Sequence, residues 1–232
     1  IEKDQVLSAK VLRLANSPFY GFPSRIASVA HAVVVLGLNV VKGLTLCATA
    51  FDMMRNAGMN ELWRHSLGVA MTAHILGTKA AMKNPEEVFV AGLLHDIGKV
   101  VLYVKWPDVG QQITAVTRNT SQPLMDVEQE LFEVTHADVG GWLASAWHLP
   151  TSLREPILHH HTPAAAQDAK LQTAIVHVAD VLVKGLACGN PGDNLVPPLS
   201  RQAWDLVGLD AQSLAHCLAQ ATEEFQTIDD YL

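Results

Sequence analysis

His95-Asp96-Ile97-Gly98-Lys99 is the stretch on which our interpretation of this chain depends. His95 offers an imidazole nitrogen and Asp96 a carboxylate oxygen, and both are common metal ligands. If residues 88–104 form one helix, these two side chains point about 100° apart and reach one point only when a metal ion bridges them. Lys99 shares their face of the helix, where it could neutralise a bound anion. Taken alone, the stretch also fits a buried helix that ends in a polar patch.

The composition predicts a folded protein with a sizeable core. Of the 232 residues, 49% are hydrophobic and 17% are charged, which is not the composition of a disordered chain. The net charge of −7 and the absence of a basic run argue against direct nucleic-acid binding. The three cysteines (Cys47, Cys188 and Cys217) have neither zinc-site nor disulfide spacing, which fits a reducing compartment, so we expect a cytoplasmic protein.

We expect no membrane-spanning segment. The most apolar run, residues 32–50, is interrupted by Asn39 and Lys42, so it predicts a buried helix pair. The chain starts at Ile1, in what the sequence pattern predicts to be the middle of a secondary-structure element. We therefore expect the native N-terminus to lie upstream, and the lack of a signal peptide here carries little weight.

Helical periodicity dominates the chain, and no segment alternates cleanly as a strand does, so the predicted fold class is all-α. Ser28 is a candidate cap for the second helix, and Asn39 for the third. Residues 59–82 predict one long helix, and Pro85 suits the first position of the next one. Residues 127–147 predict either one bent helix or two.

Potential metal ligands occur on five separate predicted helices, mostly on surfaces that are otherwise apolar. A carboxylate on such a surface must be paired or metal-bound, because burying it alone is very costly. Glu61 lies four residues before His65, which places both on one face, although His74 on the same helix is an alternative to His65. The candidates are Glu61, His65, His95, Asp96, His136, His159 to His161, and Asp180.

This set of side chains predicts one or two divalent metal ions. It has histidines and carboxylates but no thiolate, which favours Fe or Mn, with Mg, Zn and Ni as alternatives. The set exceeds what one ion needs and would match a pair of ions about 3.5–4 Å apart, a site that suits hydrolysis of a phosphate ester. The alternative is a metal-free domain in which the polar residues satisfy one another and bind water.

The order His65 … His95-Asp96 … Asp180 resembles the HD superfamily of metal-dependent phosphohydrolases. His136 and the pair His160-His161 look like the additional ligands of its HD-GYP branch, whose members cleave cyclic di-GMP. In the same resemblance, Glu61 stands where some HD-GYP proteins carry a further metal ligand. The resemblance thus implies eight metal ligands, namely Glu61, His65, His95, Asp96, His136, His160, His161 and Asp180. Lys99, from its spacing to His95 and Asp96, is the candidate catalytic residue.

The first half of the chain is more similar to another branch. Lys10-Val11-Leu12-Arg13-Leu14-Ala15-Asn16-Ser17, then Tyr20-Gly21, Ser28-Val29 and Leu36-Gly37 resemble the opening of the HDOD domain, the HD-related output domain of bacterial signalling proteins. The resemblance implies an HDOD domain over residues 1–186, with an N-terminal helical lobe (1–57) and an HD-like metal-binding lobe (58–186). Residues 187–232 would form a connector and C-terminal helices packed on that domain.

The chain departs from the HD-GYP pattern in two ways that bear on catalytic activity. The chain has no Gly-Tyr-Pro segment after the histidine cluster, and Thr162 replaces the Glu expected after the paired histidines. Many HDOD domains have lost metal ligands, yet here the set is nearly complete.

The resemblance therefore implies a bacterial signal-transduction output domain. It would bind a signalling protein partner or a phosphate-containing small molecule, and it leaves the oligomeric state open. The alternative function is an active metal-dependent phosphohydrolase or phosphodiesterase, in which Lys99 steadies the anion. The full ligand set favours the enzyme, and the missing Gly-Tyr-Pro segment favours the signalling role.

Overall fold

A computed structural model describes residues 4–16, 24–120 and 122–226. It confirms the all-α fold, since no strand occurs anywhere in these ranges. Ser17 and the Tyr20-Gly21 pair, which contribute to the HDOD resemblance, lie outside the described residues. The helices are α1 (Gln5–Ala15), α2 (Val29–Leu36), α3 (Leu38–Asn56), α4 (Asn60–Lys79), α5 (Pro85–Leu94), α6 (Ile97–Lys105), α7 (Pro107–Asn119), α8 (Leu124–Phe132), α9 (His136–Ala146), α10 (Thr151–His159), α11 (Lys170–Gly185), α12 (Arg201–Val207) and α13 (Ala211–Phe225), with a short 3₁₀ turn at Pro163–Ala165.

The N-terminal helices α1 to α3 pack on one another. Ser28 caps α2 as predicted, because its Oγ accepts a hydrogen bond from the His31 amide at 3.0 Å. The prediction that Asn39 caps α3 is wrong, since α3 already begins at Leu38 after Gly37, whose φ is 84°. Asn16 ends α1 and exchanges two hydrogen bonds with the backbone of Ile26, which ties α1 to the segment before α2.

Helix α4 is the central element, and its span confirms the long helix predicted over residues 59–82. Its side chains are buried on nearly all sides, and it packs against α5, α11 and α13. One continuous hydrophobic core extends from Val11 in α1 to Ala221 in α13. The N-terminal helices and the ligand-bearing helices therefore share a core. In the part of the chain that the structure describes, no helix is both long and apolar enough to cross a membrane.

The helix that we considered over residues 88–104 is in fact two helices. α5 ends at Leu94, and the backbone leaves the helical conformation at Asp96, which has φ −98° and ψ 14°, before α6 starts at Ile97. Residues 127–147 likewise form two helices, α8 and α9, and His136 opens α9 after a capping box made by Thr135 and Asp138.

Two glycines bring the helices on either side of the Asp96 break against their neighbours. A methyl group on Gly92 would meet the backbone of Ala70 in α4 at 2.7 Å. A methyl group on Gly98 would collide with the carbonyl oxygen of His136 in α9. These close approaches place His95 and Asp96 between α4 and α9, and this position determines what they can contact.

The segment between α11 and α12, which we call the connector (residues 186–200), is tied back to the helices. Gly189, at φ 70°, lies against the α4 backbone, and the Asn190 amide donates to the carbonyl of Glu61 at 3.1 Å. Asp193 accepts from Lys184 Nζ at 3.0 Å and from the Leu124 amide at 2.9 Å. The connector therefore lies next to the helices that carry the candidate ligands.

Candidate metal centre

The structure brings seven of the eight predicted metal ligands into one cluster. They come from α4, from the turn between α5 and α6, from the start of α9, from the end of α10 and from α11. Six of them are at most 2% exposed, and His161 is half-buried. The cluster consists of His65, His95, Asp96, His136, His160, His161 and Asp180.

Asp96 lies at the middle of this cluster. Its Oδ2 is 3.3 Å from His95 Nε2 and 3.8 Å from His65 Nε2, and both of these histidines also face Asp180. Its Oδ1 is 3.3 Å from His136 Nε2 and 3.8 Å from His160 Nε2. Asp96 therefore presents one carboxylate oxygen to each half of the cluster.

The two halves meet the distance requirement for metal coordination. The candidate ligand atoms of His65, His95 and Asp180 all lie within 4.8 Å of one another. The same holds for His136, His160 and His161, and for a third set, His95, Asp96 and His160, which links the two halves.

Hydrogen bonds at Nδ1 orient three of the histidine rings. His95 Nδ1 lies 2.7 Å from the carbonyl oxygen of Gly92, and His160 Nδ1 lies 2.9 Å from that of Ile157. His136 Nδ1 is 2.6 Å from Glu128 Oε2. With the Nδ1 proton donated to an oxygen, each ring directs the Nε2 lone pair into the cluster, which is how protein side chains usually orient metal-bound imidazole.

Buried polar atoms that have no hydrogen-bond partner converge at the centre of the cluster. Among the described residues they include His65 Nε2, His95 Nε2, Asp96 Oδ1, His160 Nε2 and Asp180 Oδ1. Leaving so many buried polar atoms unpaired would be costly. A cation would satisfy both the lone pairs of the imidazoles and the carboxylate oxygens. The residues present therefore fit a metal centre.

For His65, His160 and the two aspartates, the protonation states also suit metal binding. Burial lowers the pKa of His65 and His160, so both rings stay neutral. Burial raises the pKa of Asp96 and Asp180, but the neighbouring histidines and Lys99 outweigh it and hold both values well below the ordinary one. His95 differs from them: burial lowers its pKa, but the Asp96 and Asp180 carboxylates outweigh burial and raise the pKa above its ordinary value. Neutral imidazole and ionised carboxylate are the forms that bind metals.

Lys99 lies beside the cluster, on the first turn of α6. Its ammonium is 2.8 Å from Asp96 Oδ2, and the residue is 3% exposed. Burial lowers the pKa of Lys99, but Asp96 outweighs this and raises it above the ordinary value, so the side chain stays charged. A fixed positive charge therefore adjoins the candidate ligands, as the sequence predicted.

Glu61, the eighth predicted ligand, is exposed and belongs to none of the three metal-compatible groups. It lies on the α4 turn before His65, beside a cavity. His74, the alternative to His65, packs edge-on against Phe89 with ring centroids 6.3 Å apart. The structure therefore places His65, and not His74, in the cluster. His159 is half-buried at the end of α10.

Our sequence analysis missed two residues that hold the ligands in place. Glu128 is fully buried, and its Oε2 accepts from both the amide (2.8 Å) and Nδ1 of His136. Its signal was an acid on the apolar face of α8, next to Val127. His177 places Nδ1 2.7 Å from the His160 carbonyl, while its Nε2 accepts from the Ser200 amide at 3.0 Å. Nothing in the sequence near His177 indicates these partners.

One curated protein and three solved structures show what this chain resembles. An uncharacterized protein of Treponema pallidum (strain Nichols) is 25% identical over 201 residues, which cover 84% of this chain. They cover only 39% of that protein, so the chain spans about two fifths of its curated relative.

A crystal structure of an HDOD domain protein of unknown function from Geobacter sulfurreducens is 28% identical, with a TM-score of 0.78 over 99% of this chain and 83% of that one. A protein of Shewanella amazonensis SB2B, provisionally named a phosphohydrolase, is 24% identical, with a TM-score of 0.70 over 100% of this chain and 84% of that one. A protein of Marinobacter aquaeolei VT8, provisionally named a signal transduction protein, is 21% identical, with a TM-score of 0.72 over 99% of this chain and 52% of that one.

The sequence model of the HDOD domain family matches residues 1–163. This match extends from α1 through α10 and includes the ligand candidates from His65 to His161. Asp180, on α11, lies beyond it. The chain therefore belongs to the HDOD domain family.

Proposed function

We propose that this chain is the regulatory output domain of a bacterial signalling protein, and that its metal centre binds a phosphate-containing small molecule or a partner that carries one. The observation that supports this most is the group of buried, unpaired nitrogen and oxygen atoms around Asp96. Membership of the HDOD family supports the signalling role. We further propose that the domain works in the cytoplasm and binds neither nucleic acid nor a membrane.

The centre would hold two divalent ions, with Fe or Mn favoured over Mg, Zn or Ni. The basis for two ions is that Asp96 directs Oδ2 toward His65 and His95, and Oδ1 toward His136 and His160. The donor set contains five imidazoles and two carboxylates without a thiolate, which suits Fe and Mn.

Elemental mass spectrometry tests the proposal on protein purified without chelators or a metal-binding tag. We expect about two equivalents of Fe or Mn per chain, and their loss in the His95→Ala/Asp96→Ala variant. His216→Ala removes an exposed histidine outside the cluster and should keep the metal. No bound metal in a folded wild-type protein would contradict the proposal.

A second candidate function is hydrolysis of a phosphate ester, and the position of Lys99 favours it. Bound divalent ions would supply an activated water and charge neutralisation at phosphorus. The Lys99 ammonium, next to Asp96, would hold a phosphate oxygen, and the Nδ1 hydrogen bonds would keep the ligand rings in position. Against this function, Thr162 and the Pro163–Ala165 turn follow the histidine pair in place of the HD-GYP segment.

Turnover of bis(4-nitrophenyl) phosphate and of a cyclic dinucleotide, measured with added Mn, separates the two functions. Hydrolysis that is lost in Lys99→Met would support the enzyme. A protein that binds metal stoichiometrically but turns over neither substrate would exclude it and leave the regulatory role.

A further inference from the structure

A cavity of about 720 Å³ lies beside the metal centre, between α6, α7 and the connector. We call it the connector cavity. Lys99 and Tyr103 of α6, Thr117 and Arg118 of α7, Glu61 of α4 and Asn190 of the connector line it. Its volume is within the range of small-molecule binding sites.

Lys99 connects this cavity to the metal centre. The side chain lines the cavity, while its ammonium donates to Asp96 Oδ2 at 2.8 Å. An ammonium has three N–H donors, and Asp96 is the one acceptor that the described residues supply. The remaining donors on a group that is 3% exposed need an acceptor, and an anion oxygen supplies the strongest kind.

The rest of the wall combines apolar side chains, such as Leu62 and Leu195, with several polar groups. Hydroxyl groups line it at Tyr103 and Thr117, an amide at Asn190 and a guanidinium at Arg118. The carboxylate of Glu61 also lines it, although Glu61 belongs to no metal-compatible group. These polar groups provide both donors and acceptors for a ligand with several hydroxyl groups.

We propose that the connector cavity binds a phosphate ester of a hydroxyl-rich compound, either a sugar phosphate or a nucleotide. The phosphate lies at the metal centre and Lys99, and the hydroxyl-bearing part lies between Arg118 and Glu61. Glu61 then accepts hydrogen bonds from ligand hydroxyls and is not a metal ligand. This inference rests on the proposed metal centre, because the phosphate needs the metal charge as well as Lys99.

Calorimetric titration of the Mn-loaded protein with ribose 5-phosphate and with adenosine 5′-monophosphate tests the inference. We expect both to bind, and ribose and adenosine, which lack phosphate, not to bind. Arg118→Ala and Glu61→Gln should each weaken binding about tenfold, which is typical of one lost charge-assisted hydrogen bond. Both variants should retain the wild-type metal content.

Arg201→Ala is the matched control, because Arg201 is exposed, pairs with Asp205 and does not line the cavity. Tighter binding of the nucleotide than of the sugar phosphate would identify a nucleotide site, and equal binding a sugar-phosphate site. Both results support the inference. Full metal content with no binding of either compound, or with binding that neither variant weakens, would overturn it and leave the proposed function standing. Absence of metal would overturn both.

Discussion

At the scale of single residues, the candidate metal centre depends on side chains outside the proposed ligand set. Glu128 accepts two hydrogen bonds from His136, one from the amide and one from the ring, and it is fully buried. Carboxylate–histidine pairs of this kind fix the ring tautomer and raise ligand basicity. Three carbonyl oxygens, those of Gly92, Ile157 and His160, accept from His95, His160 and His177 in a similar way.

Glu128→Gln should weaken metal binding about 10- to 100-fold, which is the usual cost of losing such a partner. The amide is nearly isosteric with the carboxylate, but it lacks the negative charge that favours the Nδ1–H tautomer of His136. Metal affinity, measured by competition with a chromophoric chelator, checks the expectation. Glu130→Gln, on the exposed side of α8, is the control. Equal affinities in the two variants would contradict it.

At the scale of elements, close backbone approaches determine where the ligands lie. Gly92 lets α5 approach α4, and Gly98 lets α6 approach α9. Nothing in the sequence indicates which helices approach these two glycines. Glu155 on α10 also fixes the position of a neighbouring element. Its carboxylate accepts hydrogen bonds from the backbone amides of Gln167, Asp168 and Ala169, just before α11.

Gly98→Ala should destabilise the fold by about 1–3 kcal/mol, the usual cost of overpacking, although alanine is the better helix former. The added methyl group would collide with the His136 carbonyl oxygen, so α6 and α9 must separate, and Asp96 must move away from His136. Urea unfolding and metal content measure both effects. Gly185→Ala has open space around its methyl group and should be neutral.

Glu155→Gln should cost about 1.5–3 kcal/mol at pH 7, the range for hydrogen bonds to a charged group. Burial raises the pKa of Glu155, but the three amide donors outweigh it and lower the pKa below its ordinary value of about 4.5. The stabilisation is therefore complete above pH 4.5 and is lost as the pH falls through the depressed pKa. Urea unfolding as a function of pH should show the variant and the wild type converging in acid. A difference independent of pH would contradict this account.

At the scale of the whole molecule, the candidate metal centre joins helices that are distant in sequence. Its candidate ligands extend from His65 on α4 to Asp180 on α11, and the hydrophobic core around them is continuous. Because the unfolded chain cannot hold these groups together, a bound metal stabilises the folded state through mass action.

Metal binding should therefore raise the melting temperature. At a free Mn concentration 100 times the dissociation constant, the gain is about 2.7 kcal/mol. The melting temperatures measured with Mn and with a chelator should differ in the wild type and in His216→Ala. They should coincide in His95→Ala/Asp96→Ala. A melting temperature that metal does not change in the wild type would contradict this prediction.

The sequence by itself determined the all-α class, because helical periodicity is a local signal, and its resemblance to the HD and HD-GYP families selected the cluster residues among the histidines and acids. Only the tertiary structure decided that the chain breaks at Asp96, that Asp96 faces both halves of the cluster, and that Glu61 lies beside a cavity. The roles of Glu128 and His177 also emerged only there. These features depend on how closely the helices approach one another, and that distance is determined by packing between residues far apart in the chain.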